Sequence, residues 1–472
     1  MDIKNIKKVH IIGIEGAGTS ALARMLKNVG IEVSGSDEGD HFYYDMLKNA
    51  GIKVFHKFDE HNIPSDVDLV VYSLAFKKEI NPETAFAYKN IKNVLSYGEA
   101  LALLFNQEYG ISVCGSHGKT TVSAWLAYVL RESGRDPKLI VGAKVPQFNG
   151  NSLLGNSDYF VLESDEYGNK LQYLKPRAVL LNNIDYDHPD FFPTKEDYNQ
   201  VFIEFIKKIP KKGWLVANFD DPIIKKIAAV NTRAKVISYA INESADFTAY
   251  DIKQLNDKQY FKVKIGSSVF EEDDLLVDTE LGNFSIQLIG EHNVYNALAV
   301  IISAIELGVD LVDIRTYLEE FKGTARRMEM MGKFNGAVIL DDYAHHPTEI
   351  KITLAGARQK YGDKKIRVVF HPHTFTRTKA LLDDFAKSFD DADEVVILDI
   401  YGSAREEQGG VHSRDLVEKI TQHTTGNTQQ IIKYIPTLDK CEKYLRDTIQ
   451  RDEVIILMGA GDVFRIGEGL VK

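Results

Sequence analysis

The chain has 472 residues, enough for three domains at about 150 residues each, and its 44% apolar and 26% charged residues are the mix of an ordinary globular protein. Subtracting 68 acidic from 57 basic residues leaves −11 with no basic block, which argues against nonspecific nucleic-acid binding but not against a small anionic ligand. Two cysteines, Cys114 and Cys441, exclude a disulfide framework, and no window approaches the ~18 apolar residues of a membrane span. A cytoplasmic protein without nucleic-acid or membrane partners is expected.

From Val9 to about Ile111 the chain alternates strand and helix patterns. VHIIGI, IEVSGSD, IKVF and DLVVYSLA read as strands, and SALARMLKNVG and YYDMLKNAG as helices stopped by Gly30 and Gly51. Such βαβ rhythm predicts a parallel sheet. Its first turn, Gly13-Ile14-Glu15-Gly16-Ala17-Gly18, joins a strand to a helix, and Asp37 ends the next strand about 20 residues later. That spacing suits a dinucleotide, but the glycine order is G-x-x-G-x-G rather than G-x-G-x-x-G. A nucleotide diphosphate suits the turn equally, and a tight turn with no ligand stays open.

A second block opens with the strand GISVC, the loop GSHGKTT and the helical VSAWLAYVLRESG. Here Gly115, Ser116, His117, Gly118, Lys119, Thr120 and Thr121 sit where backbone N–H groups at a helix start can surround phosphates. Lys119 would reach the terminal phosphates from an exposed loop, and Thr120 would ligate Mg²⁺. The full Walker pattern has a further glycine where Val113 stands, so this is a shortened relative of the P-loop; the bland alternative is a glycine turn with a surface lysine. Strands YFVLES and AVLLNNID follow, carrying Glu163-Ser164-Asp165-Glu166 and Asp187-His188 at their ends. In a doubly wound sheet these ends face the ligand crevice, so Glu163, His188 and Thr120 are candidate metal ligands. Helix capping by Asp165 and Asp187 is the competing explanation. The stretch from Asp246 to Gln287 looks antiparallel and peripheral, and NVYNALAVIISAIELG closes the block as a helix.

From about Ala325 the βα rhythm returns, with strands AVILDD, IRVVFH, EVVILD and EVIILM and helices such as KALLDDFAKSF and SRDLVEKIT. Two strand ends carry Asp341-Asp342-Tyr343-Ala344-His345-His346-Pro347 and His371-Pro372-His373-Thr374-Phe375-Thr376-Arg377-Thr378. Histidines and an arginine there suit an anionic substrate and a transferring phosphoryl group better than zinc, which lacks cysteine ligands or a helical His-x-x-x-His.

Gly115 to Thr121, Glu163, Asn183 with Asp187-His188, Glu291 to Ala297, Arg326-Arg327 and Asp341 to Glu349 together make the chain resemble the Mur ligases over essentially its whole length. These enzymes build the peptide of the peptidoglycan precursor using ATP. The opening Gly13 to Gly18 with Ser34 to Asp37, HPHTFTRT, Asp399-Ile400-Tyr401, Gly410-Val411 and Met458 to Asp462 are similar to the member that uses L-alanine. Ser116 stands where threonine is usual, and Glu166 to Lys170 with Asn182-Asn183 lean toward the member that adds a tripeptide.

The resemblance implies an α/β, three-domain Mur ligase architecture. Residues 1–108 would form a Rossmann-like UDP-sugar domain, 109–324 a central P-loop-type ATPase, and 325–472 a Rossmann-like domain for the amino substrate. It implies ATP and Mg²⁺, with UDP-N-acetylmuramate and L-alanine joined through an acyl phosphate in cell-wall biogenesis, hence in cell shape and division. L-alanyl-D-glutamyl-diaminopimelate is the alternative amino substrate. Gly16, Gly18, Asp37 and Ser73 are implied for the sugar nucleotide, His292, Asn293 and Asn296 for the adenine, and Asp342 for the ribose. Arg326, His346, His373 and Arg377 would line the junction of acyl phosphate and amine, with Lys119 and His188 catalytic and Arg377 gripping the L-alanine carboxylate. Later-acting members carry a carbamylated lysine in the helix after the Asp-His pair; here Lys207 and Lys208 follow the apolar run as solvated charges. An NAD-dependent oxidoreductase accounts for Gly13 to Asp37 but leaves Lys119-Thr120 without work, and a P-loop switch or motor is the other rival.

Overall fold

A computed structural model describes residues 3–38, 43–266, 279–402, 406, 408–424 and 430–472. The described residues form three sheets. The first is wholly parallel, in the order Lys53–Phe55, Glu32–Ser36, Lys8–Ile12, Leu69–Tyr72, Val94–Ser96. Its order reverses between Lys8–Ile12 and Leu69–Tyr72, the place where doubly wound sheets open a ligand crevice. The glycine turn follows one of these strands and Ser73 the other.

The second sheet has ten strands, seven of them parallel from Phe247–Leu255 to Lys138–Val145. At its centre Tyr109–Cys114 lies between Ala178–Leu181 and Tyr159–Glu163. All three are buried on both faces, which is why they read as continuous apolar runs. Helices Lys119–Glu132 and Glu291–Glu306 cover one face with one apolar core, and Lys195–Ile206 covers the other. The stretch from Asp246 to Gln287 is peripheral, as its alternating pattern predicts. One departure is that Phe247–Leu255 runs parallel to its inner neighbour, with only the outer two strands antiparallel.

The third sheet runs Glu329–Phe334, Ala337–Asp342, Val454–Met458, Ile366–Phe370, Glu394–Ile397, Ile431–Tyr434, parallel except for its first strand. KALLDDFAKSF is not one helix: Leu381, at φ −112°, divides Phe375–Ala380 from Leu382–Ala386. AVLLNNID is strand only to Leu181, and the residues after it turn onto the phosphate loop. No helix among the described residues is long and apolar enough to cross a membrane.

Candidate active site

The loop Gly115–Gly118 joins strand Tyr109–Cys114 to helix Lys119–Glu132. Gly115 and Gly118 hold φ of 124° and 78°, which side-chain-bearing residues rarely adopt. An added Cβ would lie 2.7 Å from the Asn183 carbonyl at Gly115 and 2.6 Å from Asn296 Oδ1 at Gly118. Val113, where the longer Walker loop has glycine, is instead within the strand and pairs with Glu163 and Leu180. Asn183 supplies the missing support. Its side-chain oxygen accepts from the His117 amide at 2.7 Å, its carbonyl from the Ser116 amide at 3.0 Å, and its Nδ2 donates to the His117 carbonyl at 3.2 Å.

Lys119 is half-buried rather than exposed. Its Nζ donates to the Gly115 and Ser116 carbonyls at 2.6 and 3.0 Å and to Glu166 at 2.9 Å. Burial opposes its charge, but Glu166 and Asp165 prevail and hold its pKa above the ordinary lysine value. Thr120 Oγ1 donates to Glu163 at 2.8 Å. Asp165, Glu166 and His188 form a second group whose ligand atoms lie within 4.8 Å of one another. Hydroxyl and carboxylate oxygens are the donor set of Mg²⁺, so these residues fit that ion. His188, Arg326 and Thr374 all adopt left-handed backbone, φ 58°, 61° and 71°, a strain that clusters at working sites.

A cavity of about 1020 Å³ joins the three sheets' domains at this loop. Gly18 and Tyr97 reach it from the first, Lys119, Thr120, Glu163 and His188 from the second, and Arg326, Arg327, Tyr343 and His345 from the third. His117 bridges the second and third, its Nε2 2.9 Å from Asp185 and its Nδ1 3.3 Å from Glu349. Burial alone would lower its pKa, yet these two carboxylates raise it to about 9. A second bridge is Arg377 with Asp187, Nε to Oδ1 at 2.8 Å, both nearly fully buried.

Family models described as Mur ligase family, catalytic domain, Mur ligase middle domain, and Mur ligase, glutamate ligase domain match residues 8–109, 113–304 and 326–461. A UDP-N-acetylmuramate–L-alanine ligase of Sulfurihydrogenibium sp. is 37% identical over 99% of this chain and 98% of its own. The chain belongs to the Mur ligase family. Another relative of the same name, from Desulfitobacterium hafniense, is 38% identical over 98% of this Mur ligase and 99% of its own length. The crystal structure of the UDP-N-acetylmuramate-alanine ligase of Thermotoga maritima matches with a TM-score of 0.80 at 24% identity, covering 98% of each chain. A murein peptide ligase of Psychrobacter arcticus matches at 0.72 and 25%, again over 98% of each. The three-domain α/β architecture is that of the family.

Within this Mur ligase the expected residues divide. Gly115 to Thr121 form the loop and helix start as expected, with Ser116 to Thr120 at the cavity and Gly115 and Thr121 buried. Glu163, His188 and Arg326 also line the cavity. Asn296 touches Gly118 and accepts no place in the cavity wall, while Asn293 bonds to it at 3.0 Å. His292 Nδ1 is buried without a hydrogen-bond partner, and His292 does not line the cavity.

Most of the other expected residues lie off the cavity wall. Asp342 is buried, and its two oxygens accept from the Met328 and Ala344 amides at 2.8 and 2.9 Å. Asp37 likewise accepts the Glu15 amide at 2.7 Å and closes the glycine turn. Of the four residues expected at the sugar nucleotide, only Gly18 lines the cavity; Gly16 caps the helix from Ala17, and Ser73 lies beside Gly13. His346, His373 and Arg377 do not line it. His346 caps helix Pro347–Tyr361, with Nδ1 accepting from the Thr348 amide and Nε2 facing the Tyr186 carbonyl. His373 is neutral, its pKa pushed by burial to about 2, and stacks on Tyr401. Arg377 gives its fork to Asp187.

Lys207 and Lys208 lie off the cavity, one paired with Glu204 and the other on the Leu171 carbonyl at 3.0 Å. Tyr198 is the residue of helix Lys195–Ile206 that reaches the site, its hydroxyl 2.7 Å from Ser116 Oγ and 3.1 Å from Glu166. Arg327 and Glu349 belonged to the motifs but were not singled out. Tyr43 and Tyr97 carry no local signal, because only the packing of domains brings them to the cavity, whereas Lys170 stands in the Glu166 to Lys170 stretch that bears on the amino substrate.

Proposed function

We propose that this chain joins L-alanine to the lactyl carboxylate of UDP-N-acetylmuramate, with ATP consumed to ADP and phosphate, in a cytoplasmic step of peptidoglycan synthesis. As a Mur ligase it is an ATP-dependent amide-forming ligase. The observation that carries the reading is one cavity in which a phosphate loop with Lys119 faces both the first domain's glycine turn and the third domain's arginines. The domain limits we assign are 1–108, 109–324 and 325–472.

The carboxylate oxygen attacks the γ-phosphorus, and the bond to the β-bridging oxygen breaks, leaving ADP and an acyl phosphate. Lys119, held charged at the loop, stabilises the negative charge that builds on the phosphoryl oxygens. Bound Mg²⁺, for which Thr120 and Glu163, and His188 in the neighbouring group with Asp165 and Glu166, are the proposed holders, would add further charge neutralisation. The amine of L-alanine then attacks the acyl carbon, and phosphate departs with the bonding pair. His345 is poised for the incoming nitrogen. Burial lowers its pKa to about 4, and its Nδ1 lies 2.9 Å from the Tyr343 carbonyl, which leaves Nε2 as a neutral acceptor. Arg326, steadied by Asp341 at 2.9 Å and the Gly459 carbonyl at 2.8 Å, is a fixed cation for the departing phosphate.

Phosphate release from ATP with UDP-N-acetylmuramate, comparing L-alanine with L-alanyl-D-glutamyl-diaminopimelate, tests the reading. Turnover that needs all three substrates and favours L-alanine is expected. Preference for the tripeptide would replace the amino substrate and keep the ligase class.

A further inference from the structure

The stretch Tyr167 to Lys170 is left unused by the mechanism above. It is part of a 3₁₀ segment, Tyr167–Tyr173, in which Gly168 and Asn169 both adopt left-handed backbone, φ 67° and 51°. This kink turns Lys170 back onto Asp165, with which it forms a salt bridge. The Tyr167 amide also bonds to Asp165, at 3.0 Å. Lys170 lines the cavity and is half-buried.

Its surroundings place it between two sites. On one side its Cγ lies 3.1 Å from where a Cβ on Gly98 would stand, in the first turn of helix Tyr97–Phe105. The neighbouring Tyr97 packs so tightly on Gly18 that an added Cβ there would be 2.5 Å from its hydroxyl. On the other side Asp165 belongs to the group with Glu166 and His188 beside Lys119. Lys170 thus stands on the cavity wall between helix Tyr97–Phe105 and Asp165.

That passage poses an electrostatic problem. A carboxylate nucleophile has to approach Glu163, Asp165 and Glu166, three like charges at the cavity wall. Lys119 is engaged by the loop carbonyls and Glu166, Arg326 by Asp341, and Arg327 faces Glu349. Lys170 pairs with Asp165 and also touches the first domain at Gly98. We propose that Lys170 receives the lactyl carboxylate of the sugar nucleotide, exchanging Asp165 for it, and thereby selects sugar nucleotides that carry that acid. The proposal rests on the ligase reading above. Trading one carboxylate for another keeps the ammonium paired, and the released Asp165 keeps the Tyr167 amide and the nearby charge of Lys119.

Equilibrium binding by calorimetry tests this with two probes: UDP-N-acetylmuramate and UDP-N-acetylglucosamine, which lacks the lactyl acid. Lys170→Met should weaken UDP-N-acetylmuramate about tenfold or more, the worth of a charge-assisted hydrogen bond, and change UDP-N-acetylglucosamine less than about twofold. Lys170→Arg should restore most of the loss, and KM for ATP and for L-alanine should stay near wild type. Equal weakening of both probes, or of neither, overturns the proposal. A wild-type enzyme that fails to prefer UDP-N-acetylmuramate overturns the ligase reading itself, a different and recognisable result.

Discussion

Asp187 and Arg377 are joined by a buried two-pronged ion pair between the second and third domains, with Nε 2.8 Å from Oδ1 and Nη2 3.3 Å from Oδ2. Asp187 adjoins His188, so the pair ties the candidate metal group to the segment His371–Thr378. Burial works against the Asp187 charge, and Arg377 overcomes it, holding the carboxyl well below its usual range.

Removing either partner leaves the other charged and buried. Asp187→Asn and Arg377→Met should each cost about 3–5 kcal/mol, and the double variant clearly less than their sum. Urea unfolding of the four proteins measures this. An Arg377→Met enzyme that unfolds like wild type and changes only KM for L-alanine would return Arg377 to the role of substrate clamp.

Lys119→Met should lower turnover about a thousandfold through loss of charge stabilisation. It should also destabilise the fold, because Glu166, only 1% exposed, loses its cation. Adding Glu166→Gln should recover stability without recovering activity. Phosphate release and thermal unfolding, run on the same samples, separate the two effects.

Glu163→Gln and Thr120→Val should raise the Mg²⁺ concentration for half-maximal phosphate release about tenfold. The carboxylate also accepts the Gly142 amide, so Glu163→Gln keeps the local shape better than alanine would. His188→Ala, in the separate group with Asp165 and Glu166, should depress turnover even at saturating Mg²⁺. Unchanged metal titrations in all three variants would assign these residues to capping and packing.

His117 makes the contact between domains sensitive to alkali. Its folded pKa, about 9, lies above the ~6.5 of an unfolded histidine, so its stabilisation is complete below about pH 6.5 and is lost as pH rises through about 9. Glu349, held well below its ordinary value despite burial by His345 and His117, loses its share only in strong acid. Unfolding free energy should therefore fall by on the order of 2–3 kcal/mol from about pH 6 to about pH 10, and His117→Gln should flatten that slope. Denaturant titrations along this pH series decide it.

The sheets were legible because buried parallel strands are short apolar runs, and those runs survive in any sequence window. The phosphate loop was legible for the same local reason: Lys119 and Thr120 open a helix directly after such a run. What escaped was tertiary. Asp342 and Asp37 look like ligand carboxylates in a strand-end motif, and the fold adds what no window shows, that nearby amides donate to both. Arg377 looks like a free cation until the fold delivers Asp187, 190 residues away, to its fork. The helix pattern KALLDDFAKSF carries no glycine or proline at Leu381, so nothing local announces the break there.

Asn183 holds the phosphate loop at three points, from a strand end that is far from the loop in sequence. The loop is therefore not a self-sufficient cassette. Moved alone onto another strand–helix junction, Gly115 to Thr121 would leave behind the amide that shapes it, and would be expected to collapse into an ordinary turn. Transplantation should succeed only when the turn containing Asn183 travels too, so the smallest portable unit is a pair of adjacent strand ends.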